Sequence, residues 1–127
     1  MKTLLIVDDN KEIRELIKGI VRKVSENIFE CEDGDEVLTA FDLYQPDWIV
    51  MDIEMKRMDG LMATALLTKN HPEANIIIVT NHNDDQTRQT ANNAGARFFL
   101  SKDNLISLRQ LIQYHEILPK RFNQIIN

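Results

Sequence analysis

Five short apolar runs alternate with stretches of helical periodicity, and this alternation limits the possible folds more than any other feature of the sequence. Apart from the weaker second run, they are rich in β-branched and aromatic residues and show no polar alternation, which is typical of strands buried on both faces of a parallel sheet. They cover residues 3–7, 27–31, 48–51, 76–79 and 97–100. Five strands of four or five residues are therefore predicted.

The segments between and after the strands predict helices. The first of them carries one apolar stripe at helical spacing, made of Ile13, Leu16, Ile17, Ile20, Val21 and Val24. Four more stretches can form helices, the third with the narrowest apolar face: residues 36–44, 61–69, 84–94 and 105–117. Asp103 or Asn104 is the expected N-cap of the last helix, and Pro119 its expected end.

The order of these elements is (βα)₅ and predicts an α/β fold. Because crossovers between parallel strands are almost always right-handed, helices should cover both faces of a doubly wound five-stranded parallel sheet. The 127 residues fit a single domain. We expect its core to cover about residues 2–118 and a C-terminal tail to occupy residues 119–127.

The composition argues against several classes of protein. The formal net charge of -5 disfavours direct nucleic-acid binding, which usually needs a basic patch. The single cysteine, Cys31, cannot form an internal disulfide, so a reducing cytoplasm is the expected location. The first apolar run is too short for a signal peptide and no run approaches the length of a membrane span, so we expect no membrane partner.

Chemically active side chains stand at or just after the ends of four predicted strands. They are Asp8 and Asp9 after the first strand, Asp52 after the third, Thr80 at the end of the fourth and Lys102 after the fifth. In an open α/β sheet the functional crevice lies beyond the carboxyl ends of the strands, so these side chains should converge. Each one alone has an ordinary explanation, as a helix cap, a turn residue or a solvated side chain.

Three converging carboxylates repel one another and would destabilise the fold without a cation between them. Mg²⁺ takes oxygen ligands and keeps positions open for water and phosphate oxygens. A phosphoryl group can then move to Asp52, while Lys102 and the Thr80 hydroxyl neutralise its other oxygens. A carboxylate nucleophile yields a covalent aspartyl phosphate, so the residues indicate Mg²⁺-dependent phosphoryl transfer.

Five short motifs occur in order along the chain. They are Val-Asp-Asp-Asn at 7–10, Met-Asp-Ile-Glu-Met at 51–55, Met-Asp-Gly at 58–60, Val-Thr at 79–80 and Phe-Leu-Ser-Lys at 99–102. Together they resemble the receiver domains of response regulators in bacterial two-component systems, over roughly residues 2–118. Each motif is weak alone, whereas five in register are highly specific. The resemblance implies a flavodoxin-like topology with strand order 2-1-3-4-5.

The resemblance implies a role for each residue of the site. Asp52 would accept the phosphoryl group from a sensor histidine kinase, a phosphotransfer protein or a small phosphodonor. Asp9 would bind Mg²⁺ directly and Asp8 largely through water, and the backbone carbonyl of Glu54 would complete the protein ligands. The chain would catalyse only its own phosphorylation and dephosphorylation, and would not otherwise be an enzyme.

The resemblance also implies a conformational switch. Thr80 would move toward the phosphoryl group, and Phe99, three residues before Lys102, would rotate inward. The altered face would comprise the fourth helix, the fifth strand and the fifth helix. It would contact a downstream output protein or domain, and it is also the candidate interface of a homodimer.

Three residues depart from the family pattern. Lys56 replaces a proline after the Met of the Asp-x-x-Met motif, so that loop should be less stiff. Asp103 replaces the proline that often follows the lysine through a cis bond. A cis bond before a non-proline costs ~3 kcal/mol, and the sequence leaves open both the isomer and the aim of Lys102. Asn81 is bulkier than the small residue usual after the threonine, and it could slow entry of the donor or of water.

Two other functions stay open on the sequence alone. The chain could be a receiver that has lost its switch and acts as a non-phosphorylated interaction module. It could also be a Mg²⁺-dependent phosphatase of the haloacid-dehalogenase type, with Glu54 standing where that class has a second aspartate. The lack of room for a substrate cap weighs against the phosphatase.

Further polar residues predict surface positions. His82, two residues beyond Thr80, is expected to be an exposed loop histidine. Asp33, Asp35 and Glu36 form an acidic turn that we expect to be solvated.

Overall fold

The computed structural model describes residues 2–115 and forms one parallel sheet covered by helices. The strands are β1 Thr3–Val7, β2 Asn27–Cys31, β3 Trp48–Met51, β4 Ile76–Thr80 and β5 Phe98–Ser101. Every pairing is parallel, and the order across the sheet is β2-β1-β3-β4-β5. The predicted fold class and strand order are thus confirmed.

Five α-helices follow the strands, two of them after a turn of 3₁₀-helix. The α-helices are α1 Lys11–Val21, α2 Val37–Tyr44, α3 Gly60–Asn70, α4 Asp85–Ala94 and α5 Leu108–His115. The 3₁₀ turns are Gly34–Glu36 before α2 and Lys102–Ser107 before α5. Within residues 2–115, no helix has both the length and the apolar character needed to cross a membrane.

Two apolar clusters lie on opposite faces of the sheet, because successive residues of a strand point to opposite sides. The strands pack against α2, α3 and α4 on one face, and against α1 and α5 on the other. Phe98 belongs to the cluster with α1 and α5, and its neighbour Phe99 to the opposite cluster. All residues of β3 and β4 are buried, as the unbroken apolar runs predicted.

Polar side chains cap the helices that start near the carboxyl edge of the sheet. Asn10 accepts backbone hydrogen bonds at the start of α1, and Asp59 does so at the start of α3. Asp84 caps α4 by accepting from the N–H of Thr87 at 2.8 Å. The predicted helix in segment 84–94 is therefore present, and Ala91 is its buried residue. A good cap compensates for a narrow apolar face.

The start of the last helix was predicted wrongly. Helical turns begin at Lys102, and Ser101 caps them by accepting from the N–H of Asp103 at 3.2 Å. Asn104 has non-helical dihedral angles, φ -125° and ψ 35°, so the α-helix itself begins only at Leu108. Neither Asp103 nor Asn104 caps the helix, because the chain is already turning before it reaches them.

One position of the predicted stripe on α1 is also wrong. Leu16 is 52% exposed, whereas Arg14, which lies outside the predicted stripe, is buried. The arginine turns inward because its guanidinium finds acceptors near the sheet edge. Predictions for Pro119, for the end of the last helix at 117 and for the tail lie outside the described residues.

Candidate functional site

Two adjacent strand ends bring three carboxylates together. The N–H of Asp52 donates to the carbonyl of Val7 at 2.9 Å, and the N–H of Asp8 donates to Cys31 at 3.1 Å, so both residues extend the sheet ladder. One carboxylate oxygen from each of Asp8, Asp9 and Asp52 lies within 4.8 Å of the others. Asp8 and Asp52 are buried and Asp9 is exposed, so the cluster opens to solvent on one side.

Lys102 reaches this cluster from the turn after β5. Its Nζ lies 3.1 Å from Asp8 Oδ2 and 3.2 Å from Asp52 Oδ1. No peptide bond within residues 2–115 is cis, so the bond between Lys102 and Asp103 is trans, and the ammonium still contacts both carboxylates. One partly buried cation therefore bridges two buried anions.

The electrostatics of the site disfavour the charge on Asp52. Burial and the neighbouring carboxylate of Asp8 raise the pKa of Asp52 from 3.8 to about 6, although Lys102 opposes this rise. Burial works against the charge on Lys102 as well, but Asp52 and Asp8 hold its pKa above the ordinary value. The protein thus keeps an excess of buried negative charge that is only partly compensated.

The donor set suits a hard divalent cation. Three carboxylate oxygens provide the type of ligand that Mg²⁺ prefers, and one ammonium group cannot balance three carboxylates. Burial first, and the neighbouring Asp8 carboxylate second, raise the pKa of Asp52 and so favour a cation beside it. Glu54 lies two residues beyond Asp52 in the same loop, and its carbonyl as a further ligand stays a prediction.

Thr80 and Phe99 lie on the neighbouring strands. Thr80 is buried at the end of β4, and its hydroxyl oxygen accepts from the N–H of His82 at 3.1 Å. Phe99 is buried in β5, and the guanidinium carbon of Arg88 on α4 lies 4.7 Å from its ring centroid. Phe99 is therefore part of the core, with a cation from α4 over its ring.

Comparison with known families decides where the chain belongs. The family model of the response regulator receiver domain matches residues 4–114, almost the whole described part of the chain. The chain belongs to the response regulator receiver family. This confirms the resemblance that the five motifs indicated.

Several curated proteins resemble this receiver domain. It is 36% identical over 103 residues to the chemotaxis protein CheY of Listeria monocytogenes, covering 80% of this chain and 87% of CheY. For the CheY of Halobacterium salinarum the identity is 33% over 101 residues, covering 80% of this chain and 84% of that protein. The DNA-binding transcriptional regulator NtrC of Klebsiella pneumoniae is 32% identical over 117 residues, which cover 87% of this chain but 25% of NtrC. The receiver therefore spans most of the CheY relatives and a minor part of the longer regulator.

Solved structures show the same fold. The chemotaxis protein CheY4 of Vibrio cholerae has a TM-score of 0.82 and 23% identity, covering 90% of this chain and 98% of that one. A CheY-like receiver domain protein of Methanospirillum hungatei has a TM-score of 0.82 and 24% identity, covering 90% and 92% of the two chains. At these identities the likeness supports the fold and nothing finer.

Sequence reasoning missed Arg14, which fixes the first loop of the receiver site. Its Nη1 donates to the carbonyl of Asp8 at 2.7 Å, and its Nε donates to Glu30 at 2.8 Å. The arginine is buried, and its bond to the Asp8 carbonyl fixes the backbone of the loop that carries Asp8 and Asp9. A charged residue beside the apolar stripe of α1 was the signal available in the sequence.

The expectation for the acidic turn was wrong at Asp33. Its carboxylate is 1% exposed, because the loop after β3 covers it and donates backbone hydrogen bonds to it. Burial opposes ionisation, but these hydrogen bonds hold the pKa of Asp33 at about 2. Asp35 and Glu36 are more accessible and form ion pairs with Arg57.

The expectation for His82 was right about its exposure and incomplete about its partner. The side chain of His82 is 52% exposed, and its Nε2 contacts a carboxylate oxygen of Glu54. The contact joins the loop after β4 to the loop after β3, across the open side of the receiver site.

Gly60 allows the close return of the loop after β3. Its N–H donates to the carbonyl of Ile53 at 2.8 Å, and a Cβ on Gly60 would lie 1.9 Å from the carbonyl oxygen of Asp52. We expect Gly60→Ala to destabilise the receiver by about 2 kcal/mol, because backbone must move to make room.

Gly19 provides the matched control for this substitution. A Cβ there meets nothing within 4 Å, and the residue lies inside α1. Gly19→Ala should therefore stabilise the protein by about 0.5–1 kcal/mol. Urea unfolding of both variants measures the two effects, and equal stability of the two variants would contradict the proposed clash.

Proposed function

We propose that this receiver accepts a phosphoryl group on Asp52 in a Mg²⁺-dependent reaction and changes conformation in response. The observation that carries the proposal is the contact of Lys102 with both Asp8 and Asp52, beside a third carboxylate from Asp9. This arrangement combines a buried nucleophile, a fixed cation and a set of oxygen ligands. Receiver domains bind Mg²⁺ at an acidic pocket of this kind.

Asp8, Asp9 and Asp52 would hold the ion, with the carbonyl of Glu54 as a further ligand. When bound, Mg²⁺ neutralises negative charge on the carboxylates and on the incoming phosphoryl oxygens. The chain itself contributes position and charge. Asp52 is buried, so a donor can reach it only from the open side beside Asp9, and Arg14 fixes the backbone of Asp8.

The transfer step is a displacement at phosphorus. A carboxylate oxygen of Asp52 forms a bond to phosphorus while the P–N bond of a phosphohistidine breaks and the imidazole leaves with its electron pair. The ammonium of Lys102 stabilises the charge on one phosphoryl oxygen, and the hydroxyl of Thr80 donates to another. Because the pKa of Asp52 is about 6, the nucleophile is mainly ionised at neutral pH.

The signalling partners follow from the same proposal. A sensor histidine kinase or a phosphotransfer protein would supply the phosphoryl group. Movement of Thr80 and Phe99 would alter the face formed by α4, β5 and α5, which would bind an output protein or domain or a second copy. We propose a cytoplasmic location, no direct nucleic-acid binding by this domain, and catalysis limited to its own phosphorylation and dephosphorylation.

Intact mass measured after incubation with acetyl phosphate tests the proposal. We expect one added phosphoryl group in the presence of Mg²⁺, none after addition of EDTA, and recovery when Mg²⁺ is restored in excess. Addition that is independent of the metal would overturn the mechanism. No addition under any condition would favour the alternative of a non-phosphorylated interaction module.

A further inference from the structure

We propose that Asp33 is a positioning residue whose buried carboxylate holds the loop between β3 and α3, so that this loop presents the Glu54 carbonyl to a divalent cation beside Asp52. This inference rests on the proposed function and names a residue outside the acidic cluster. Asp33 lies in the turn after β2, two strands away from β3 in the sheet.

The contacts of Asp33 join two loops that are distant in sequence. Its Oδ2 accepts from the N–H of Arg57 at 2.9 Å, and its Oδ1 accepts from the N–H of Met58 at 2.9 Å. A third bond, from the N–H of Asp35 at 3.2 Å, fixes the carboxylate within its own turn. One side chain thus fastens the loop after β3 to the turn after β2.

Apart from the exposed side-chain contacts of Arg57 and Glu54, the other hydrogen bonds that the structure describes for this loop are at its ends. At the start, the N–H of Asp52 is bonded to β1, and at the close, the N–H of Gly60 donates to Ile53. Asp33 holds the stretch between these points. The neighbouring Gly34 shows how close the two loops are, because a Cβ there would lie 2.5 Å from the carbonyl oxygen of Met58.

The ionised form of Asp33 is required for these contacts. An ionised carboxylate accepts at both oxygens, whereas an asparagine would direct an NH₂ group at one of the backbone donors. At 1% exposure there is little room for water to replace a lost acceptor. The guanidinium of Arg57 pairs with Asp35 instead, so Asp33 serves the backbone of the loop.

Loop position matters because Glu54 lies in this loop. Removing a group that hydrogen-bonds to a metal ligand and orients it typically lowers metal affinity or activity by about 10–100-fold. On its other side, the loop contacts His82 through the exposed side chain of Glu54. The buried tie to Asp33 is therefore the one that we expect to set the position of the Glu54 carbonyl.

The test measures the rate of phosphoryl uptake from acetyl phosphate as a function of Mg²⁺ concentration. For Asp33→Asn we expect the Mg²⁺ concentration at half-maximal rate to rise about tenfold. The rate at saturating Mg²⁺ should return to within about twofold of wild type, because the nucleophile and Lys102 are unchanged. Asp35→Asn is the matched control: it removes the exposed ion pair with the Arg57 side chain but keeps the backbone bonds to Asp33, and it should behave as wild type.

The outcomes separate this inference from the proposed function. If folded Asp33→Asn reaches half-maximal rate at the same Mg²⁺ concentration as wild type, whether or not its maximal rate is lower, the role of Asp33 alone is overturned. Failure of the wild type to take up phosphoryl overturns the proposed function. If Asp33→Asn does not fold, hydrogen exchange of the wild type decides. The backbone amides of Arg57 and Met58 should then exchange slowly, and more slowly still with Mg²⁺. Exchange as fast as that of unbonded loop amides would reject the inference.

Discussion

Replacing Asp52 with asparagine is expected to abolish phosphoryl transfer and, at the same time, to stabilise the protein in metal-free solution. Transfer is lost because an amide is not a nucleophile for phosphorus under these conditions. Stability increases because Asp52 is ionised at neutral pH although burial and Asp8 disfavour its charge. One pKa unit corresponds to ~1.4 kcal/mol, and solvent at the open side of the site screens part of the effect. We therefore expect the free energy of unfolding to rise by about 2 kcal/mol.

The pH dependence of this gain has a defined sign. The pKa of Asp52 is raised in the folded protein from 3.8 to about 6, so ionisation costs stability as the pH rises through that window. The gain in stability of Asp52→Asn should therefore be absent below pH 3.8 and complete above about pH 6. Urea unfolding in EDTA at several pH values measures this advantage, with Asp42→Asn as the control at an exposed carboxylate.

Three results would contradict the assignment of Asp52. The first is phosphorylation that persists in Asp52→Asn, which would move the acceptor elsewhere. The second is a variant that is less stable than wild type at neutral pH, which would mean that the ion pair with Lys102 outweighs burial and repulsion. The third is a gain in stability that is equally large for Asp42→Asn, which would make the effect unspecific.

Lys102→Met is expected to slow phosphoryl uptake about 100-fold at saturating Mg²⁺, because a fixed cation at the phosphoryl oxygens is lost. The same variant should be less stable in EDTA by about 3 kcal/mol at neutral pH, because two buried carboxylates lose their shared partner. Acidification should reduce this loss, since protonation of Asp52 removes part of the repulsion. Added Mg²⁺ should also reduce it.

Rates from intact mass and unfolding curves in EDTA and in Mg²⁺ measure both effects. Lys69→Met, at an exposed position in the last turn of α3, is the matched control and should leave rate and stability unchanged. A rate close to wild type for Lys102→Met would show that the observed ion pairs serve stability alone. It would also leave neutralisation of the phosphoryl group to the metal.

The sheet could be predicted from the sequence because its signal is local. Four of the strands are short apolar runs whose burial leaves no polar alternation, whereas the edge strand β2 is the weaker, partly exposed run. The ends of the last helix could not be predicted in this way. Ser101, Asp103 and Asn104 are all good capping residues, and the turn that the chain takes at Lys102 decides which of them acts as the cap.

The residues of the site could likewise be predicted only in part from the sequence. The positions of Asp8, Asp9 and Asp52 after strands predicted their convergence, because parallel strands end at one edge. Nothing local distinguishes Asp33 from Asp35, two acidic residues in one turn. Asp33 is buried and Asp35 is accessible because a loop 24 residues further along packs over one of them.

The sequence by itself determined the order of the elements, the parallel sheet and the set of residues at its carboxyl edge, because period and composition act over a few neighbouring residues. The tertiary structure alone decided that Arg14 and Asp33 turn inward, and that Lys102 contacts Asp8 and Asp52 through a trans-linked turn. These features depend on which loops meet across the sheet. A buried charge is stable only where such a meeting supplies its hydrogen-bond partners.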